Sequence, residues 1–387
     1  MQEDFHYYAT YCAAYLSGCT HEESLDICYS AQLVDLCSRT FLSKLRAPLS
    51  AATTQLQLEM MDARTDPIGL QDITRIWASF HFLPYDLYAD VKKRAGKQYK
   101  NKYRLICNTN SDLLVDTVTL AKDKGAQAAG IAMHILADTW AHRYFAGTPS
   151  LVINNTNYYF YEIMPDATEF PVAFGHNPSA KDDLENHKYT NSLFQSSENT
   201  IMNLGHGRAG HLPDYSFIRY RYLPAWGEYN EIVKDNPSDF YHAFCQMIYA
   251  LEYLHGEVDG FEKDTYAWDI AEPYKDEIMA IIEKRQLNAC DDWKAFGEKL
   301  SGEEIPPFEL SKYESEYIGA EKPEKNDTFL GKFILAAMAQ KSMVTNKIFR
   351  SGNLLAGFSI DFAEKGFSGI KDYKLLAEYL KEGLTHD

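Results

Sequence analysis

With 387 residues, 45% of them apolar, the chain can bury a sizeable core, either as one large domain or as two to three average ones. Its formal charge of −17 excludes a broad polyanion-binding face, and no apolar run approaches the roughly 18 residues that span a bilayer. Aromatic content of 14%, with 27 Tyr and 21 Phe, points to tyrosine-lined clefts as well as core.

Met1 to Tyr8 has neither a basic nor an apolar segment of the kind found in secretory signals, which predicts a cytoplasmic protein. Seven cysteines without a CxxC pair read as reduced thiols, those at 12, 19, 28 and 37 as small buried residues.

In chain order, Asp4-Phe5-His6-Tyr7-Tyr8 leads into a helix with an apolar stripe that Gly18 ends. Thr20-His21-Glu22-Glu23 is a capping box for the next helix, at whose end stands Asp35. The helix dipole disfavours an acid there, so Asp35 is read either as a solvated terminal residue or as a ligand. Residues 41 to 80 are expected to form a short hairpin or an irregular excursion, with Asp66-Pro67-Ile68-Gly69 as a turn. His81 follows between large apolar residues, ahead of the helix-stopping Pro84, as a core histidine or a cleft residue.

The pattern from Leu113 to Phe145 predicts a long helical region broken near Gly125. Its second part carries His134, Asp138 and His142 at i, i+4, i+8, which fan over about 80° of one helix face among apolar neighbours. Such a trio is read either as satisfied polar residues in the core or as ligands of a shared divalent cation. Residues 150 to 200 lack helical periodicity and are expected to be a long ordered loop. The glycine-rich turn that follows holds His206, His211 and Asp214 within nine residues. A helix capped by Ser238 runs to Gly256, with His242 and His255 read as structural. Further amphipathic helices are expected around 272–286, 289–300, 328–350 and 372–383, with a charged, proline-rich linker near 303–327.

Taken together, these residues carry a resemblance. An early histidine, an acid after helix two, His-Phe-x-x-x-Asp at His81, His-x-x-x-Asp-x-x-x-His at His134 and a later histidine-rich turn occur in the order of the zinc-dependent phospholipase C and single-strand nuclease superfamily. The chain looks most like a bacterial branch of that fold. The resemblance covers roughly residues 1 to 255 and implies an all-α helical bundle over 1–256, with a C-terminal helical extension over 257–387.

It also implies two or three zinc ions that activate water and clamp a phosphodiester. His6 resembles the early ligand of one ion, Asp35 and His81 ligands of a second, and His134 and Asp138 the helix pair whose acid bridges two metals. His142 resembles the first ligand of a third site, completed here from His206, His211 and Asp214. The family's zinc enzymes also ligate metal through the amino group of their mature first residue. Lacking a signal, this chain is expected to use Asp4, two residues before His6. The family's closing His-x-x-x-Glu is replaced as well, since Gly210 and Tyr215 stand four residues after His206 and His211.

The activity implied is metal-dependent hydrolysis of a phosphoric ester, phospholipid-like or smaller, with Asp35 or Asp138 orienting or deprotonating the attacking water. The alternatives are a nuclease, which the charge disfavours, and a non-catalytic metal-containing protein that binds a partner through its C-terminal helices. Iron or manganese suit the same ligand types.

Overall fold

The computed structural model describes residues 1–91, 95–156, 159–176, 180–192, 203–227 and 230–358. The expected helix at 372–383 lies outside these. About 51% of the chain is helical, but the expectation of an all-α fold is overturned. A four-stranded antiparallel sheet and a two-stranded parallel one make the protein mixed α/β.

The helical core is built on α8 (Ala126–Ala141), buried along its whole length after the first residue. Gly125, with φ of +87°, separates it from α7 (Asp112–Ala121), where the break is expected. Against α8 lie α2 (His21–Leu33) and α9 (Asn236–His255). Gly130 makes the α2 contact possible, because a Cβ there would lie 2.3 Å from the carbonyl oxygen of Ile27. A π-helical turn over Asp4–Ala9 continues into α1 (Thr10–Leu16) beside them.

Residues 41 to 80 are helical rather than a hairpin: α3 (Arg39–Leu45), α4 (Gln57–Ala63) and α5 (Pro67–Phe80). Asp66 does not open a turn. Its side chain accepts from the amides of Ile68 and Gly69, and Pro67 occupies the first helical position, where a missing N–H costs nothing. Ile73, Ile76 and Phe80 then form the buried stripe, and His81 caps the C-terminus. A short α6 (Lys97–Tyr103) leads to α7.

The region expected as loop, 150 to 200, carries β1 (Tyr161–Ile163), β2 (Glu169–Pro171), β3 (Ala173–Gly175) and β4 (Lys188–Thr190), and β5 (Arg219–Tyr222) and β6 (Ile232–Asp235) follow the glycine-rich turn. The larger sheet has the order β2-β1-β5-β6, with Glu162 opposite Tyr220, and β3 pairs β4 in parallel. Strands this short give almost no periodic signal, although β5 does alternate: Tyr220 and Tyr222 are buried between outward Arg219 and Arg221. The buried rings join Phe82, Phe145 and Phe160 in a second core over the C-terminal end of α8. Buried Lys234 on β6 ties the sheet to that end, donating to the Trp140 carbonyl at 2.7 Å and to Asp239 at 2.6 Å. Burial lowers its pKa to about 8 against the pull of Asp239.

Beyond α9 come α10 (Trp268–Ala271), α11 (Lys275–Glu283), α12 (Cys290–Ser301), α13 (Ser311–Gly319) and α14 (Phe329–Arg350). The stretch read as linker therefore holds α13 and a 3₁₀ turn over Lys325–Asp327. Trp293 of α12 packs edge-on against Phe5 and stacks on Phe244, so these helices share the N-terminal core. No helix among the described residues is long and apolar enough to cross a membrane.

Candidate metal centre

The helix positions of α8 put His134, Asp138 and His142 on the face turned toward α2, the end of α5 and the glycine-rich turn. Asp138 is the hub. Its Oδ1 lies 2.6 Å from the α-amino nitrogen of Met1 and 3.2 Å from His6 Nε2. Its Oδ2 lies 3.1 Å from His81 Nδ1, 3.2 Å from His134 Nε2 and 3.5 Å from His142 Nδ1.

Backbone carbonyls fix the tautomers, because a carbonyl oxygen can only accept. His134 donates through Nδ1 to the Ala31 carbonyl at 2.9 Å, and His81 through Nε2 to that of Thr53 at 3.1 Å. His142 donates through Nδ1 to the His81 carbonyl at 2.8 Å, and His206 through Nδ1 to that of Gly210 at 2.6 Å. In the neutral ring the other nitrogen of each is then a lone pair. Those lone pairs face each other and face carboxylates: His134 Nε2 and His81 Nδ1 are 3.3 Å apart, and His142 Nε2 is 3.0 Å from Asp214 Oδ1. His6 is buried with neither ring nitrogen hydrogen-bonded, although Nε2 is close to Asp138, and its ring stacks on His134 at 3.8 Å.

Opposed acceptors need either protons or a cation between them. Burial disfavours protons, lowering His6 to about 3 with help from His134, and His206 to about 4. Burial also pushes Asp138 up, but His142, the Met1 amine, His134 and His6 together hold it well below its ordinary value. Asp214 is likewise held well below, by His206, the Met1 amine, His142 and His211. The Met1 amine is held at about 11: burial opposes its charge, and Asp138, Asp214 and Asp35 outweigh the burial.

Among the described residues three groups could hold a metal ion, each with ligand atoms within 4.8 Å of one another: His6, His134 and Asp138; Asp35, His81 and His134; His142, His206 and Asp214. His134 has one lone pair left, at Nε2, and so serves only one of the first two. Zinc bonds of about 2.0–2.2 Å in tetrahedral geometry put ligand atoms roughly 3.3–3.5 Å apart. For the second group with Asp138 Oδ2 as fourth donor, five of the six edges are 3.1, 3.2, 3.3, 3.9 and 3.9 Å. The donor set therefore fits a four-coordinate divalent ion. The backbone acceptors behind the rings are the outer-shell partners that orient metal-binding histidines.

The structure brings together eight of the expected site residues: His6, Asp35, His81, His134, Asp138, His142, His206 and Asp214. His211 stays outside the groups, more than half exposed, with Nδ1 3.2 Å from Asp214 Oδ2. Asp4 also stays outside. Its Oδ2 accepts from the Ala289 amide at 3.1 Å ahead of α12, and burial raises its pKa to about 6. The nitrogen of Met1 itself reaches the cluster instead, bridging Asp138 and Asp214 at 2.6 and 3.4 Å. The expectation that Asp4 replaces this amine is therefore reversed: the amine stands in the cluster and Asp4 outside it. His242 and His255 are structural, bonded to the Ser238 carbonyl and Cys19.

The elements explain the convergence. Gly130 lets α2 approach until the Ala31 carbonyl reaches His134. Gly205, with φ of +54° and no room for a Cβ beside the Phe82 ring, folds the turn that delivers His206 next to His142. Leu204 anchors that turn against Ile73, Met60 and Ala63. Solvent reaches the cluster at Asp35, whose side chain is 32% exposed, whereas Asp138 is 1% exposed.

Residues 1–348 match the model of a family described as a family of unknown function, DUF6765. The chain belongs to that family. Searches of curated proteins and of solved structures find no match.

Proposed function

We propose that the cluster binds two or three divalent ions, zinc for preference, and hydrolyses phosphoric esters. The observation that carries this reading is the set of histidine lone pairs turned on Asp35, Asp138 and Asp214, with spacing that matches tetrahedral ligation. Ions held there would lower the pKa of water toward about 7 and offset negative charge on a phosphoryl group.

The residues then divide the work by exposure. Asp35 meets solvent and is the base that takes the proton from the attacking water. Asp138 has both oxygens engaged inside the cluster, so it positions the histidines and the Met1 amine and has no free oxygen to offer a substrate. The similarity in residue order to zinc-dependent phospholipase C and single-strand nucleases supports the same chemistry, and the net charge of −17 favours a small or lipid-like ester over nucleic acid.

The test is hydrolysis by the purified chain, before and after chelation and zinc return, of bis(p-nitrophenyl) phosphate, dispersed phosphatidylcholine and single-stranded DNA. Chelator-sensitive turnover of either of the first two, restored by zinc, is the expected result. Cleavage of DNA alone selects the nuclease alternative. No turnover of any substrate by fully metallated protein overturns the hydrolase reading.

A further inference from the structure

A groove of about 320 Å³ lies between α7, α8 and α14, separate from the metal ligands. It exists because the facing positions carry small side chains: Ala132, Ala336 and Ala339 leave a trough that Leu or Phe would fill. Leu120, Ile131 and Leu335 line its walls. Lys124 and Lys332 line it, both exposed, and among the described residues no carboxylate does. In a chain with 55 acidic and 38 basic residues, a concave apolar site whose described lining carries two cations and no carboxylate runs against the overall charge balance.

We propose that this groove binds a single-chain amphiphile with an anionic head, such as a fatty carboxylate. A group of water's size takes about 30 Å³, so roughly ten methylenes fill the volume, which lies at the small end of ligand pockets. One alkyl chain of about that length fits. The head group would sit between the lysines. Lys332 also interacts with Asp26, whose carboxyl burial pushes up against the pull of Lys332 and Lys312, so Lys124 carries more of the attraction. The site stands independently of the metal reading, although it uses the N-terminal half of the same helix, with Ala132 two residues before His134.

Calorimetric titration of the full chain with dodecanoate and with dodecyltrimethylammonium, both below micelle formation, tests chain and charge separately. The expected result is one dodecanoate bound per chain, with at least tenfold weaker binding of the ammonium. Ala336→Trp should reduce dodecanoate affinity at least tenfold by filling the groove, and Ala339→Leu, a smaller change, should do so if the first variant fails to melt cooperatively. Lys124→Glu with Lys332→Glu should reverse the preference between the two amphiphiles. Absence of dodecanoate binding, equal affinity for both head groups, or binding unchanged by groove-filling variants that fold would overturn the proposal.

Discussion

Replacing Asp138 by Asn keeps the side chain's size and removes one negative charge from the middle of the cluster. The carboxylate touches five nitrogens, of Met1, His6, His81, His134 and His142, at 2.6 to 3.5 Å. Two unit charges 4 Å apart interact by about 4 kcal/mol at an effective dielectric of 20, and a dication doubles that. Desolvation offsets part of it, but even outer-shell partners of metal ligands are worth roughly 10–100-fold in affinity. A carboxylate whose two oxygens serve two groups should therefore exceed about 100-fold at each. Asp138→Asn is expected to lose two metal equivalents, from the His6 and His81 groups. His142→Ala is expected to lose one, because among the candidate ligand groups His142 belongs to the one with His206 and Asp214. The assay is elemental analysis after dialysis against a weak chelator, on variants that still melt cooperatively, since metals that link helices also contribute to folding. Full metal content in Asp138→Asn would refute the bridging role.

Asp35→Asn should fold normally, given its partly exposed side chain, and lose about 10²–10⁴-fold in turnover as expected for a missing general base; unchanged kcat on bis(p-nitrophenyl) phosphate would remove Asp35 from the mechanism. Gly130→Ala should cost about 1–3 kcal/mol in urea denaturation, because its Cβ would clash with the α2 backbone. The same variant should also weaken metal binding by displacing the Ala31 carbonyl from His134, so a variant of parental stability and metal content contradicts the close-packing argument. In metal-free protein near pH 5, the unfolded chain holds two protons on His6 and His206 that the fold excludes, their pKa values being lowered to about 3 and about 4 from 6.5. The fold holds one on Asp4, raised to about 6 from 3.8, that the unfolded chain lacks. Across these three groups the unfolded state holds one proton more, which makes their contribution to stability fall by about 1.4 kcal/mol per unit as pH drops from 6 toward 4; urea midpoints that rise over that interval would show the assignment to be wrong.

The candidate ligands were legible because their spacing has a cause. Asp138 and His142 follow His134 at intervals of four, which only a helix brings to one face, and apolar neighbours turn that face inward. His81 was legible from its setting between Phe80 and Phe82. The carbonyls of Ala31, Thr53 and Gly210 were not, since backbone atoms are common to every sequence, and the N-terminal amine, which the family resemblance names, was set aside in favour of Asp4. The α5 start was misread although its signal was present: Asp66 and Pro67 are an N-cap and a first helical residue as readily as a turn, and the stripe of Ile73, Ile76 and Phe80 decides between them. The strands failed for a different reason. Three residues hold barely one alternation, and pairings such as Glu162 with Tyr220 are set by long-range contacts. In β5 alone, Arg-Tyr-Arg-Tyr spells out the two faces of the sheet.

Elemental analysis of the purified, unsupplemented chain by plasma mass spectrometry decides whether this cluster is a metal centre. Two to three equivalents of a divalent transition metal per chain, with zinc predominant, are predicted. Content near zero that does not rise on incubation with zinc would contradict a metal centre, and would mean that the facing histidines and carboxylates are held together by protons and the Met1 amine alone.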